Sequence, residues 1–271
     1  CDYYIEVNKS APKIPDRSLP FCRSEPPPVL TRRGFLNLFP PLIMPPVFES
    51  RVVKAAALVG SGFASFARSR RVGEATILTF HGLCENSGDP GILDWSLHLP
   101  VEVFRSVCSL LAADYRVISL ADLIEAQSKN QTLPDNSVVI TFDDGNLDNY
   151  KNAYPILKKF GFAATFYVVE NYINGTDMVT TDQLKELIQN GWEIGCHSHS
   201  HKDLTASDVD LELEIRRAKL NMEDKLDVSV NSFAFPFGKA NEEVWRLTSA
   251  YQFKSAVGLG TSYVHKSNTL Y

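Results

Sequence analysis

Apolar positions are unevenly spaced along the chain, and a regular rhythm begins only near residue 75. Residues 75–80 (ATILTF) form a short β-branched and aromatic run, which predicts a strand. Pro100 then opens a helix whose apolar Val103, Val107, Leu110 and Leu111 recur at helical spacing. A short strand over 115–118 follows, and Ser119 with Asp122 makes a capping-box start for a helix to about residue 126. After a Leu-Pro-Asp-Asn turn, residues 137–142 (SVVITF) read as a strand buried on both faces. The beat continues with a helix over 147–160 stopped by Gly161, and a strand over 163–169. Thr180 with Gln183 caps a helix over 182–190, and a strand over 192–196 comes next. A long helix from Ser207 to about Leu226 precedes a strand over 232–235. A helix over 242–250 and a strand over 253–257 close the series.

Seven strands separated by helices predict parallel pairing through right-handed crossovers. Seven such units in about 190 residues suit a compact, incomplete β/α barrel better than an open doubly wound sheet. No G-x-G-x-x-G or G-x-x-x-x-G-K-[ST] follows any strand, so nucleotide-binding readings lose their main support.

The first 70 residues break this rhythm. Ten of the 15 prolines fall within residues 1–50, and no helical or strand periodicity survives there. Residues 1–70 are therefore expected to be a disordered, Pro-rich extension, with the folded domain spanning 71–271. Residues 31–36, Thr-Arg-Arg-Gly-Phe-Leu, precede apolar runs at 38–48 and 55–67, an order similar to a twin-arginine export signal. The expectation is an extracytoplasmic protein, with translation starting near Val29. The chain begins with Cys rather than Met, and a C-terminal truncation is expected as well.

Composition narrows the class. At 44% apolar and 22% charged residues the 271-residue chain has globular values. Lys and Arg number 27 against 32 Asp and Glu, a formal charge of -5, which argues against nucleic acid as a partner. No apolar run reaches the ~20 residues of a membrane helix. The five cysteines are odd in number and contain no C-x-x-C, so neither a disulfide framework nor a zinc ribbon is indicated. Cys84 and Cys196 read as small apolar side chains near a packed site; whether they pair stays open.

The distinctive polar residues fall just after strands, where β/α barrels place their chemistry. His81 follows the first strand and Asp143-Asp144-Gly145 the third. The run His197-Ser198-His199-Ser200-His201 follows the fifth, and Phe235-Pro236-Phe237-Gly238 the sixth. One Asp suffices to cap a helix, and a second beside it meets like-charge repulsion that a cation removes. Three of the six histidines lie within five residues. Two imidazoles, one carboxylate and an open position make a catalytic zinc-type shell, with cobalt or nickel as alternatives, whereas Mg and Ca prefer all-oxygen shells.

Thr141-Phe142-Asp143-Asp144-Gly145 together with His197-Ser198-x-x-His201 resembles the first two motifs of the polysaccharide deacetylases, the NodB-homology domain of carbohydrate esterase family four. The resemblance covers residues 75–258. It implies an α/β fold, a distorted (β/α)7 TIM-like barrel in a single catalytic domain, and metal-dependent removal of acetyl groups from a glycan. By motif position it makes Asp144, His197 and His201 the metal ligands and Asp143 the general base, and His199 is expected to point away. The family's Arg-x-Pro-Tyr is Ala234-Phe235-Pro236-Phe237 here, so the base-orienting Arg is absent. The late Leu-x-His that carries the general acid is missing as well, since His265 lies in a tail without it. Both departures resemble the subgroup acting on poly-β-1,6-N-acetylglucosamine, in which a permuted strand brings the catalytic His early. Phe80-His81-Gly82 fits that position, so His81 is the expected acid. Phe235, Pro236 and Phe237 are the expected substrate contacts, and the Phe237 N–H, by the same analogy, faces the oxyanion.

Two function classes follow. The first is a divalent-metal hydrolase acting on acetylated polysaccharide, N-acetylated before O-acetylated. The second is a catalytically silent glycan-binding barrel, which predicts loss of Asp143 or of a ligand; none is lost. A metallophosphoesterase would want more carboxylates for two metals. The loops over 84–99 and 171–179 are expected to set specificity.

Overall fold

The computed structural model describes residues 75–85, 97–129 and 131–258. The Pro-rich extension, the Arg pair, His265 and much of the 84–99 loop lie outside the described residues. Among the described residues there are nine strands: β1 (Ala75–Phe80), β2 (Gly82–Cys84), β3 (His98–Pro100), β4 (Arg116–Val117), β5 (Ser137–Phe142), β6 (Thr165–Val168), β7 (Glu193–Cys196), β8 (Ser232–Ala234) and β9 (Ser255–Val257). Six helices connect them: α1 (Val101–Asp114), α2 (Leu120–Ser128), α3 (Tyr154–Phe160), α4 (Thr181–Gln189), α5 (Ala218–Leu226) and α6 (Glu242–Ala250). No described helix is long and apolar enough to cross a membrane.

Seven strands form one sheet in the order β1-β5-β6-β7-β8-β9, with β4 on the first two residues of β5. Every pairing is parallel. This is the predicted set of seven, curled into a half-barrel. Register levels the carboxyl ends. β1 and β5 pair from Ala75↔Ser137 to Phe80↔Phe142, and β6 meets β7 at Val168↔Cys196. The ladder runs one step further on each pair. The Asp143 N–H donates to Phe80 O at 2.9 Å, and the His197 N–H donates to Val168 O at 2.9 Å.

The buried side chains sort into two clusters by strand face. Val138, Ile140 and Phe142 point outward into the larger one, where Phe142 stacks on Trp192 at 5.7 Å and meets Phe104 of α1 edge-on. Val139 points inward to a smaller cluster with Tyr167, Ala234 and Ala75. Burying a residue such as Phe142 contributes roughly 1.5–3 kcal/mol, which is why each sheet face needs its own apolar partner. Gly195 shows how tight the interior is, since a Cβ there would lie 2.4 Å from the Tyr167 ring.

Three features depart from the sequence expectation. α2, capped by Ser119 and Asp122 as predicted, inserts Leu120, Leu123 and Ala126 into the inner cluster, so it plugs the curl instead of covering its outside. The loop over 84–99 contributes a parallel pair, β2 with β3. Two helices are also irregular within. The helix predicted over 147–160 spans those residues but contains a π segment, Asn149–Ala153, and the one predicted from Ser207 starts at Leu211 and contains another, Glu212–Arg217. Each π segment carries a buried polar residue, Asn149 or Glu214.

Candidate functional site

Strand periodicity assembles half of the site. Side chains alternate faces, so the inward set that contains Val139 continues through Thr141 to Asp143. On β1 the inward Ile77 leads through Thr79 to His81, and the Thr141 hydroxyl donates to Thr79 Oγ1 at 3.0 Å across the pair. On β7 the inward Gly195 leads to His197. Three of the residues singled out in the sequence therefore reach one inner rim by counting in twos.

Asp144 needs a different device, because a regular strand would turn it away from Asp143. Its backbone is left-handed, φ 76°, and that of Gly145 is too, φ 89°. Gly145 is required for space as well, since a Cβ there would sit 2.8 Å from Val168 Cγ1. The turn brings Asp144 Oδ1 to 3.6 Å from His197 Nε2 and 3.4 Å from His201 Nε2. Ligand atoms on a tetrahedron with bonds of ~2.1 Å lie ~3.4 Å apart, so these two distances are of the size that a shared divalent ion sets. Asp144 Oδ1 is buried without a hydrogen-bond partner, as an atom reserved for a cation would be. Among the described residues, Asp144, His197 and His201 are the one group of this kind. The donor set fits a divalent metal.

The electrostatics agree. His197 is fully buried, and burial pushes its pKa down from the ordinary 6.5 to about 4, against the pull of Asp144. Its imidazole is thus neutral near pH 7, the form that binds metals. His197 Nδ1 lies 2.8 Å from Ala234 O, which leaves Nε2 facing Asp144. His81 Nε2 stands 3.9 Å from Asp143 Oδ2, both residues being buried. The buried Asn149 donates to His81 O at 2.7 Å, tying the first strand's end to the helix that follows Asp143 and Asp144.

The aromatic segment is only partly as expected. Phe235 is buried at 3% exposure against Trp245 and Phe233, and Pro236 is buried too. Neither presents surface to a substrate, because the strand face that carries Phe235 is the one packed against α6. Phe237 does present surface. It is 43% exposed, left-handed at φ 58°, and its ring lies 4.8 Å from that of His201. A non-glycine residue in that conformation costs of order 1–3 kcal/mol and clusters at functional sites. His199 turns away from the metal triangle, with Nδ1 2.6 Å from Glu170 Oε2. Cys84 and Cys196 are both buried.

Several residues escaped sequence reasoning. His98 packs its ring over Gly82 and pairs with Asp148 at 3.1 Å, a contact created by the β2–β3 pair. Glu170 and Glu214, 3% and 1% exposed, grip the histidine loop from two sides. Nothing in the local sequence marks these two glutamates, which look like ordinary helix charges.

Residues 130–256 match the polysaccharide deacetylase family model. A Bacillus subtilis protein named as a polysaccharide deacetylase, YxkH, is 26% identical over 192 residues, covering 70% of this chain and 66% of that protein. The poly-beta-1,6-N-acetyl-D-glucosamine N-deacetylase of Staphylococcus aureus (strain MRSA252) is 29% identical over 149 residues, 49% of this chain and 51% of that one. The chain thus spans between half and two thirds of the length of these relatives. Among solved structures, Streptococcus pyogenes deacetylase PplD in complex with acetate is similar with a TM-score of 0.67 and 25% identity, covering 74% of this chain and 90% of that one. IcaB from Ammonifex degensii shares the fold at a TM-score of 0.61 and 20% identity, over 68% and 83% of the respective chains.

Proposed function

We propose that this protein is a metal-dependent polysaccharide deacetylase that removes N-acetyl groups, with poly-β-1,6-N-acetylglucosamine as the first substrate class to try. The observation that carries the reading is the convergence of a neutral, buried His197 with His201 and Asp144, beside a separate Asp143–His81 pair. A silent binding barrel has no use for that second pair.

A divalent metal at Asp144, His197 and His201, zinc by donor preference, would polarise the acetyl carbonyl and acidify the attacking water. Asp143, level with the triangle at the end of β5, accepts the water's proton. Phe237 offers its backbone N–H to the oxygen on which negative charge develops, and its exposed ring offers a sugar an apolar face. His81 donates a proton to the departing nitrogen, which cannot leave as an anion. The 3.9 Å between His81 and Asp143 lets one acetamide carbon lie within reach of both.

The fitting experiment is acetate release from a panel of glycans: poly-β-1,6-N-acetylglucosamine, chitin oligomers, peptidoglycan and an O-acetylated exopolysaccharide. Release from an N-acetylated member, abolished by chelation and restored by Zn²⁺ or Co²⁺, is expected. Full turnover in a metal-free preparation, or no release from any member, would end the proposal. The same reading places the enzyme outside the cytoplasm, exported through the segment around Arg32 and Arg33. Cell fractionation of the wild type and of an R32K/R33K variant tests that part separately, with cytoplasmic retention expected only for the variant.

A further inference from the structure

The histidine loop is bent into a shape its own residues disfavour. Ser198 and His201 both have left-handed backbones, φ 67° and φ 57°, within a stretch that contains no glycine. Each such residue costs of order 1 kcal/mol or more and persists only where the surroundings over-determine it. One restraint is internal, with the His201 N–H donating to Ser198 Oγ at 2.9 Å. The others come from two buried carboxylates that the chemistry above does not use.

Glu214 makes three contacts with two consecutive loop residues. Its carboxylate accepts the Ser200 N–H at 2.8 Å through Oε2 and the Ser200 hydroxyl at 2.5 Å through Oε1. Its backbone carbonyl accepts the His199 N–H at 3.0 Å. Glu170 holds the other side. Its N–H donates to Ser198 O at 3.0 Å, and its carboxylate lies 2.6 Å from His199 Nδ1 and 2.5 Å from Lys225 Nζ. Burial alone would raise the Glu170 pKa, but the bonds from Lys225 and His199 outweigh it and hold the carboxyl below its ordinary value. Both groups stand just outside the metal triangle, and burying a carboxylate is costly unless its hydrogen bonds are satisfied. A helix charge left in solvent would avoid that cost.

We propose that Glu214, through Ser200, and Glu170, through His199, are positioning residues that hold the loop between His197 and His201 in its metal-binding shape before any metal arrives. The inference rests on the reading of Asp144, His197 and His201 as the metal site. Glu214 is the stronger arm, because it fixes Ser200, the residue directly before the ligand His201.

The test is metal affinity in the absence of substrate. Co²⁺ is titrated into metal-free wild type, E214Q, S200A and the double variant against a competing chelator, and the visible Co²⁺ spectrum is recorded. Gln keeps the size of Glu but cannot accept from both the N–H and the hydroxyl of Ser200 with equal strength. A dissociation constant raised roughly 10–100-fold in E214Q is expected, as for other groups that orient metal ligands. The spectrum should be altered, and the double variant should be no worse than the poorer single one. Turnover should return toward wild type at saturating metal, with KM for the glycan unchanged. Should E214Q fail to fold by circular dichroism, S200A removes the hydroxyl arm of the contact from a half-buried loop side chain, leaves the N–H arm, and is read instead. Wild type that binds one Co²⁺ while folded variants bind it within twofold would overturn the positioning role. Wild type that takes up no Co²⁺ would overturn the metal site itself, and this inference with it.

Discussion

At the scale of single residues, neighbours of the same type reach different places through backbone conformation. Asp143 follows strand periodicity to the inner rim, whereas Asp144 reaches the two histidines only because its φ is 76°. This separation makes the proposed roles testable. Asp143→Asn preserves shape and removes the basic lone pair, so kcat should fall by roughly 10²–10⁴ while metal content stays at one per chain. Metal loss from a folded Asp143→Asn variant would instead make Asp143 a ligand. His81→Ala should cut kcat sharply on N-acetyl substrates. On an activated O-acetyl ester the loss should be smaller, since that leaving group needs less protonation. Equal losses on both substrates would remove His81 from proton delivery. The motif residues were legible in the sequence because their chemistry is local to two short segments. Phe235 is not legible in this way, since an aromatic residue on a strand face looks the same in sequence whether it meets a sugar or Trp245.

At the scale of elements, the seven strands of the main sheet appear where hydrophobic runs and turn residues place them. What patterning could not supply is which layer a helix joins. α2 carries Leu120, Leu123 and Ala126 at ordinary helical spacing, yet these side chains fill the inside of the curl under Val139 and Tyr167. A plug has no second apolar layer to collapse into the space it leaves. Leu123→Ala, at a fully buried position, should therefore cost 2–5 kcal/mol of stability, about the full range for such truncations. Urea unfolding would measure it, and a loss below about 1 kcal/mol would show that the interior can close around the gap. The β2–β3 pair was hidden for a related reason, since three-residue strands carry too few positions to display alternation.

At the scale of the whole molecule, the site and the fold are coupled through protons. Folding buries His197 and lowers its pKa from 6.5 to about 4, so the unfolded chain binds a proton that the folded chain refuses. Stability of the metal-free protein is therefore retained above the unfolded value and declines as pH falls from about 6.5 toward about 4. Glu170 adds to the decline on the acid side, because its folded pKa lies below the ordinary carboxylate value and its pairing is lost on protonation. Thermal melts of chelator-treated protein at pH 7 and pH 5 should show the drop, and His197→Gln should flatten it. An unchanged melting temperature between the two pH values would mean that His197 is not buried as a neutral imidazole. Metal should raise the melting temperature at pH 7 with metal concentration, since a ligand that binds only the folded state stabilises it by mass action.

The two π segments bear on how this domain tolerates changes in length. A π segment amounts to one extra residue within an α-helical turn, and each residue of an α-helix advances the chain by about 100°. Deleting a single residue within 212–217 would restore a regular helix and rotate everything on one side of the cut by that angle. The buried face of α5, with Ala218, Met222 and Leu226, would then be matched to the wrong partner for Glu214. The same holds for 149–153, where Asn149 reaches back to His81. Position-for-position replacement leaves this geometry standing, whereas a one-residue gap removes it. In an alignment of related chains, the count of residues across these two short stretches carries information that residue identity there does not.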